Sequence, residues 1–261
     1  MIGPRLGRFS TNDQYGMSSP VTALTGTFML WWAWLGFNCG STFGIVDPSW
    51  KIAAKVAVNT LNGSIGGGIA GLLASVAVNF KNIYFDISYI ISSVLGGLVG
   101  VTACCAVVTP AESLLIGAVG ALIAIGATHL QEKLKIDDPV GAMPVHFAAA
   151  VWGTLSVGLF GQNEFNQLGG RRGLFHGGGF RQLGEQALGI LVMSVWSMTA
   201  TAVTFWSLAK TIGVRMSPEE EILGADWTEH KVRSENFSVK MEKALATMNA
   251  GNEDMDKLVS R

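Results

Sequence analysis

The sequence predicts an all-α polytopic membrane protein with six transmembrane helices. Hydrophobic residues make up 49% of the 261 residues and charged residues only 14%, whereas soluble domains contain roughly 25% charged residues. The mean hydropathy is +0.38. Six apolar runs, separated by polar segments, are each long enough for the roughly 20 residues that a membrane-spanning helix needs. The 33 glycines follow no collagen-like period, and they suit close packing of helices in lipid.

The composition also argues against several classes of protein. A formal net charge of −1 leaves no basic excess to neutralise phosphates, so we expect no nucleic-acid partner. Cys39, Cys104 and Cys105 lie within or at the ends of apolar runs, at spacings that fit neither a disulfide framework nor a zinc site. Paired carboxylates, nucleophile triads and metal-ligand clusters are absent at useful spacing in the sequence. We therefore expect no enzymatic activity and no cofactor.

The chain divides into three predicted parts. Residues 1–19 are expected to form a cytoplasmic loop, residues 20–211 a transmembrane domain, and residues 212–261 a charged cytoplasmic tail. The tail is predicted to be disordered after about residue 232 because it is polar and charged. The predicted helices lie at about 21–46, 52–80, 87–108, 110–132, 139–160 and 184–210.

Glycine and proline positions support these helices. The first helix is rich in tryptophan and ends before Pro48. Gly63, Gly67 and Gly71 recur at every fourth residue of the second helix, so they present a face without side chains to which another helix can pack closely. The third helix is also rich in glycine, which predicts similar packing.

The fourth and fifth helices have clear start signals. Thr109, Pro110 and Glu112 combine an N-cap, a proline at the first helical position and a capping-box glutamate. Asp138 before Pro139 predicts the same kind of start for the fifth helix, with the carboxylate as N-cap.

A single histidine lies inside the fifth helix. Counting 1.5 Å per residue from Pro139 places His146 about 11 Å along the helix axis. An ionisable side chain at such a depth in a membrane predicts a functional site. The alternative is a neutral histidine that forms a hydrogen bond between packed helices.

The lysine and arginine residues predict the orientation. One side of the membrane would carry the N-terminal segment, the connections near residues 81–86 and 133–138, and the tail, and it holds more lysine and arginine than the other side. The bias is mild, because residues 161–183 on the other side contain three arginines. By the positive-inside rule, both termini of the chain are expected in the cytoplasm, as six spans require. We expect a multi-pass protein of the plasma membrane.

Two strings resemble the ammonium transporter family, on its Amt rather than its Rh side. One is WAWLGFNCGS at residues 32–41, and the other is Asp137-Asp138-Pro139 followed by Val145-His146 and Trp152-Gly153. The resemblance extends over about residues 1–231. It implies an eleven-helix fold of two inverted five-helix repeats plus a last helix, assembled as a homotrimer. The six predicted spans then correspond to the second repeat and the last helix. The chain is either a partial sequence or a natural half-length product, and we favour the former.

The resemblance also implies a conduction path for ammonium or ammonia, with methylammonium as a further substrate. Ser41 matches a hydroxyl in an outer vestibule, Phe37 a gate, and Trp34 the aromatic lining deeper in the pore. The spacing of three and four residues places all three on one helix face. A stripe of packing residues has the same spacing, so that reading stays open.

His146 matches the second of two stacked pore histidines, and its partner matches no residue of this chain. Desolvation in an apolar pore favours neutral ammonia, and an imidazole titrates near neutral pH. The permeating species, ammonia with a separate proton or the intact cation, stays open. Asp138 matches a buried carboxylate that supports the pore structurally. Thr228 matches a regulatory threonine of plant relatives, where a phosphate would add charge to the tail.

Two functions are therefore carried forward. The first is an ammonium transporter or channel with an apolar, histidine-lined pore. The alternative is a sensor or regulatory subunit that keeps the fold and does not conduct. The lipid bilayer and ammonium are the expected partners of either form.

Overall fold

The computed structural model describes residues 2–9, 17–78, 85–233, 237–242 and 244–246. These residues are helical or irregular, with no strand among them. The chain divides into two compact units. One is Gly16–Ser197, called here the bundle unit, and the other combines Met1–Tyr15 with Met198–Arg261, called the terminal unit.

Six long helices follow one another along the chain. We label them α1 (Pro20–Gly40), α2 (Ser49–Val78), α3 (Ile87–Thr102), α4 (Pro110–Lys133), α5 (Met143–Phe160) and α6 (Arg181–Thr211). Two single 3₁₀ turns, Glu164–Asn166 and Leu174–His176, lie between α5 and α6. The terminal unit adds two short helices, α7 (Pro218–Leu223) and α8 (Ala225–His230).

Among the described residues, four helices are long and apolar enough to cross a membrane, namely α2, α4, α5 and α6. The third helix is apolar but has only 16 residues. The first has 21 residues and is not among the four. The all-helical membrane class is thus supported, whereas the count of six spans stays a prediction.

Glycines bring α2, α3 and α4 into backbone contact. A Cβ added at Gly67 would lie 2.9 Å from the Cα of Gly97 on α3. A Cβ at Gly117 on α4 would lie only 2.0 Å from the carbonyl oxygen of Gly63, closer than any side chain can approach. The glycine face predicted on α2 is therefore confirmed, and it contacts two helices rather than one.

The first and third helices end earlier than predicted. The first stops at Gly40 rather than near residue 46, where the Ser41 hydroxyl donates a 2.7 Å hydrogen bond to the Phe37 carbonyl. The third stops at Thr102 rather than near residue 108. Buried Asn59 explains this second difference, because its Nδ2 donates to the carbonyls of Cys105 and Val108 at 2.7 and 2.8 Å. These bonds satisfy backbone groups that would otherwise need a helix.

The fifth helix begins at Met143 rather than at Pro139. Pro144 is the physical reason, because a proline inside a helix lacks the N–H donor and its ring clashes with the preceding turn. Starting at Met143 places Pro144 in the first turn, where a proline is tolerated. Gly141, with φ of +65°, reverses the chain just before this start. The fourth helix, in contrast, starts as predicted, with a complete Thr109–Glu112 capping box.

The tail is more ordered than the sequence predicts. Residues 237–242 and 244–246 are helical, and the rings of Trp227 and Phe237 lie 4.3 Å apart. Ala244 is 2% exposed. The prediction of disorder after about residue 232 is wrong for these residues, and for residues 234–236, 243 and 247–261 it falls outside the described chain.

One arginine joins the two ends of the chain within the terminal unit. The Arg215 guanidinium donates to the carbonyls of Ile2 and Pro4 at 3.0 and 2.9 Å, and it pairs with Glu221 at 3.0 Å. The second Glu221 oxygen accepts from the Leu6 N–H at 2.7 Å. The pair therefore holds residues 2–6 against α7.

We expect Arg215→Lys to release this segment, because an ammonium group cannot reproduce the branched donor geometry of a guanidinium. Hydrogen–deuterium exchange at the Leu6 amide should become faster, by about tenfold for the loss of one charge-assisted hydrogen bond. Arg233→Lys is the control, since Arg233 lies over the Trp227 ring and forms no hydrogen bond with the described residues. Equal exchange at Leu6 in both variants would contradict the role assigned to Arg215.

Candidate functional site

An open cleft of about 290 Å³ lies between α1, α3 and α5 in the bundle unit. Aromatic and small side chains make up most of its wall, with two threonines and one histidine. Its lining residues are Trp34, Phe37, Val99, Thr102, Ala103, His146, Ala150 and Thr154. Three of the predicted site residues, Trp34, Phe37 and His146, therefore meet in one cavity although 112 positions separate the first from the last.

Trp34 is fixed at the centre of the cleft. Its indole Nε1 donates a 2.8 Å hydrogen bond to Thr102 Oγ1, and that hydroxyl donates to the Leu98 carbonyl at 2.7 Å. The ring also packs beside the buried cluster around Val99 and Ala149. These contacts hold the indole in one orientation. Because Trp34 also lines the cleft, a ligand in the cleft can contact its ring.

His146 lies parallel to this indole. The two ring centroids are 6.4 Å apart with an interplanar angle of 11°. His146 belongs to a π-helical turn, Met143–Ala148, that opens α5, and such turns are frequent at functional sites. Its side chain is exposed, and its imidazole forms no hydrogen bond with any residue that the structure describes. Both ring nitrogens are therefore free to bind a small polar ligand.

Phe37 and Ser41 extend the site toward the end of α1. The ring of Phe37 meets that of Trp34 edge to face at 6.0 Å and is 62% exposed. Ser41 follows the last residue of α1 and does not line the cleft itself. Its hydroxyl proton is engaged with the Phe37 carbonyl, which leaves the oxygen lone pairs able to accept a hydrogen bond.

Asp138 supports the start of α5 from a distance. Its Oδ2 accepts from the Met143 N–H at 2.8 Å and from Gln131 Nε2 at 3.4 Å. The predicted direct N-cap is wrong, because Pro139 and Val140 form a turn rather than the first helical residues. The carboxylate nevertheless satisfies one of the free N–H groups at the start of the helix that carries His146.

These hydrogen bonds predict a pH dependence. Partial burial of Asp138 acts to raise the pKa of its carboxyl, but hydrogen bonds from Met143, Ala142 and Gln131 outweigh it and hold the pKa below the ordinary value of 3.8. A lowered carboxyl pKa stabilises the fold above the unfolded-state pKa, and this stabilisation is lost as the pH falls through the folded-state value. We expect Asp138→Asn to lower the melting temperature at pH 7, and the difference from the parent chain to shrink below about pH 4. Glu229→Gln is the control, because that exposed carboxylate forms no hydrogen bond or ion pair with any described residue. An Asp138→Asn difference that stays constant from pH 7 to pH 3 would contradict this role.

The other described histidines lie outside the cleft. His129 Nε2 is 2.8 Å from the Tyr89 hydroxyl, and His176 Nε2 is 2.7 Å from Glu112 Oε1. His230 is the last residue of α8, and none of the three lines the cavity with His146. Thr228, the predicted regulatory residue, lies in α8 of the terminal unit, where its hydroxyl donates to the Gly224 carbonyl at 3.2 Å.

Sequence reasoning missed the contribution of α3 and the second half of α5 to this site. Thr102 orients the tryptophan, and Thr154 places a second hydroxyl in the cleft. Thr154 lies eight residues after His146, a spacing that returns to the same face of a helix. This eight-residue spacing from His146 could have predicted from the sequence that Thr154 lines the site.

The fold and the cleft define a class of protein, a polytopic α-helical membrane protein with an aromatic and histidine-lined cavity between its helices. Comparison with known families then identifies it more closely. Residues 1–235 match the model of the Ammonium Transporter Family, and the chain belongs to that family. Its members are integral membrane transporters rather than enzymes, which confirms that prediction.

Individual relatives agree with this assignment. The chain is 35% identical over 253 residues to "Putative ammonium transporter 3" of Caenorhabditis elegans, covering 94% of this chain and 36% of that protein. It is 34% identical over 246 residues to "Ammonium transporter 1 member 1" of Arabidopsis thaliana, covering 87% and 48%. The chain thus spans about half the length, or less, of these relatives.

Solved structures show the same fold. A structure described as "Sensor Amt Protein" superposes with a TM-score of 0.76 at 32% identity, covering 87% of this chain and 54% of that one. The crystal structure of Candida albicans Mep2 superposes with a TM-score of 0.72 at 25% identity, covering 84% and 48%.

Proposed function

We propose that this chain forms part of a protein that moves ammonium or ammonia across a membrane through the cleft of Trp34 and His146. The observation that carries the proposal is the parallel arrangement of the two rings, 6.4 Å apart, with an imidazole free of hydrogen bonds to described residues. Membership of the ammonium transporter family supports the substrate. Methylammonium, which keeps the positive charge and N–H donors, is proposed as a further substrate.

The residues of the cleft have chemistry suited to this cation. Aromatic faces attract ammonium through their quadrupole, and Trp34 is the aromatic type that does so most strongly. The Ser41 oxygen can accept a hydrogen bond from an arriving cation, and Phe37 stands between it and Trp34. Beyond Phe37 the wall is mostly apolar, so ammonium loses water there and the neutral form becomes favoured. His146 can then hydrogen-bond ammonia or carry its proton.

The cleft is open on one side, since His146 and Phe37 are both exposed. Further helices of a longer protein would close this side, which agrees with the share of its relatives that the chain spans. We therefore propose that the chain supplies six spans, equivalent to the second inverted repeat and the last helix, within a homotrimer of the plasma membrane. Both termini of the chain would be cytoplasmic. The 261-residue chain alone is not expected to conduct ammonium.

A non-conducting sensor is the second candidate, favoured by the likeness to the structure described as "Sensor Amt Protein". The test is uptake of labelled methylammonium by cells that lack their own ammonium transporters and express the complete open reading frame containing this chain. Saturable uptake above the empty-vector level supports a transporter. Surface expression with uptake at the empty-vector level would contradict transport and favour the sensor.

Thr228 is proposed as a regulatory site of the same protein. Thr228 lies in α8 near Asp226 and Glu229, so a phosphate there would add about −1.5 to −2 charge beside two carboxylates and weaken this short helix. Uptake should change in Thr228→Asp and not in Thr228→Ala. Equal uptake by both variants and the parent protein would contradict a regulatory role for Thr228.

A further inference from the structure

Two threonines line the cleft of Trp34 and His146, and their hydroxyls differ in the bonds that they form. The Thr102 hydroxyl donates to the Leu98 carbonyl at 2.7 Å and accepts from the Trp34 indole at 2.8 Å, so it is engaged in both directions. The Thr154 hydroxyl forms no hydrogen bond with any residue that the structure describes. Thr154 therefore brings an uncommitted donor and acceptor to the wall of the cleft.

The hydroxyl of Thr154 is also reachable from the cleft. A hydroxyl inside a helix commonly turns back to the carbonyl four residues earlier. Ser156, two residues further along α5, does so with a 2.9 Å bond to the Trp152 carbonyl. Thr154 forms no such bond with Ala150, and its side chain is half-buried, with an oxygen that is not sealed in the packing. The hydroxyl is thus free to meet a ligand.

Close packing of α5 on α3 fixes the place of Thr154 on this wall. A Cβ on Gly153, the preceding residue, would lie only 2.5 Å from the carbonyl oxygen of Gly100, closer than real side chains approach. The backbones of the two helices therefore touch beside Thr154. Because α5 cannot turn or shift here without a clash, the threonine stays at one position in the cleft.

Thr154 and His146 are too far apart to bind one small ion together. Eight residues separate them, which corresponds to about 12 Å along the helix axis. A hydrogen bond joins its two heavy atoms over only about 2.9 Å. The cleft of about 290 Å³ is large compared with the roughly 30 Å³ that a water molecule occupies in the liquid. It can accordingly hold ligands at two places.

A hydroxyl suits both forms of the proposed ligand. Its oxygen accepts a hydrogen bond from the N–H groups of ammonium or methylammonium, and its proton can be donated to the lone pair of ammonia. Unlike the imidazole of His146, a hydroxyl does not titrate near neutral pH, so it binds the ligand without taking its proton.

We propose that the Thr154 hydroxyl forms a second binding position for ammonium or ammonia, separate from the position at His146. This inference rests on the proposed function, because it places the same ligand in the same cleft. It adds a binding residue on the far side of Ala150, which lies one helical turn from each of the two polar side chains.

The experiment measures thiol protection in the complete protein. Ala150→Cys, in a Cys39→Ala background where Cys104 and Cys105 are buried, places a reporter thiol between the two positions. Its labelling by a small cationic thiol reagent is followed at increasing methylammonium concentrations. The half-protective concentration is the one that gives half of the maximal slowing. Adding His146→Ala removes the first position, so that any remaining protection reports on the second.

We expect methylammonium to protect the reporter in the His146→Ala protein. Adding Thr154→Val there should raise the half-protective concentration about tenfold or more, since valine keeps the shape and removes a hydrogen bond to a charged ligand. Thr154→Ser should keep the protection, because serine retains the hydroxyl. Thr25→Val is the matched control, since the Thr25 hydroxyl bonds to the Val21 carbonyl on α1 outside the cleft, and it should change nothing.

The outcomes separate this inference from the proposed function. Protection that His146→Ala alone abolishes, or that Thr154→Val leaves unchanged, would overturn the second position and leave ammonium in the cleft. An equal loss in Thr25→Val would overturn it as well. No protection of the reporter with His146 and Thr154 both present would contradict the proposed function, and this inference with it. If Thr154→Val alters the labelling rate without methylammonium, Thr154→Ala decides.

Discussion

Replacing His146 with alanine should reduce methylammonium uptake by the complete protein to the level of cells that lack it. The imidazole is the ionisable group of the cleft. Its removal leaves a mostly apolar wall whose hydroxyls, on Thr102 and Thr154, cannot take up the proton of a dehydrated ammonium ion. The lost stabilisation of one hydrogen bond to a charged ligand, about 1.5–3 kcal/mol, corresponds to a fall of about 10- to 150-fold. Initial uptake rates at matched surface expression are the measurement.

His129→Ala is the matched control for this prediction. His129 contacts Tyr89 outside the cleft, so its removal should leave uptake within about twofold of the parent protein. Phe37→Ala should lower uptake less than His146→Ala, because it widens the entrance without removing the polar group. Robust uptake insensitive to both His146→Ala and Phe37→Ala would contradict the pore assignment.

Replacing Gly117 with valine should prevent stable folding of the bundle. The new Cβ would lie 2.0 Å from the carbonyl oxygen of Gly63 and 2.6 Å from its Cα, so α4 would have to move away from α2. Overpacking in a core costs about 1–3 kcal/mol, and a clash between two backbones belongs at or above the upper end. The expected result is a large fall in melting temperature and in the yield of monodisperse protein.

Gly126→Val is the control on the same helix. A Cβ at Gly126 meets no heavy atom within 4 Å, so valine should be tolerated there. If Gly117→Val and Gly126→Val melted at the same temperature, the close backbone contact between α2 and α4 would not be needed for the stability of the bundle.

The sequence predicted the helical class and the meeting of Trp34, Phe37 and His146, for different reasons. Composition and run length depend only on which residues avoid water, so they predict helices without tertiary information. The meeting of α1 with α5 in one cleft followed from a family resemblance, because no local pattern joins residues more than 100 positions apart.

Two helix boundaries, the start of α5 and the end of α3, differ from their predicted positions. Asp138-Pro139 gave a good helix start, but Pro144 five residues later excluded a helix that includes both. The end of α3 depends on Asn59, a buried side chain from α2 whose amide binds two carbonyls of the following turn. Such a contact between distant segments cannot be read from the residues around position 102.

The structure of the tail also depends on contacts that its composition does not predict. Its composition favours disorder, yet Phe237 packs against Trp227 and helical residues follow. Lys231 takes the left-handed conformation, φ of +58°, that ends α8 and would suit a glycine. Composition averages over such single contacts and therefore cannot predict them.

The central claim, that ammonium occupies the cleft of Trp34 and His146, can be tested by thiol protection in the complete protein. Ala150→Cys places a thiol in the cleft, in a Cys39→Ala background where Cys104 and Cys105 remain buried. Thr128→Cys is the control, in the separate cavity beside His129. We predict that methylammonium slows labelling of the Ala150→Cys variant by a small cationic thiol reagent, in a concentration-dependent way, and leaves the Thr128→Cys variant unaffected. Labelling of Ala150→Cys at the same rate with and without saturating methylammonium would contradict the claim.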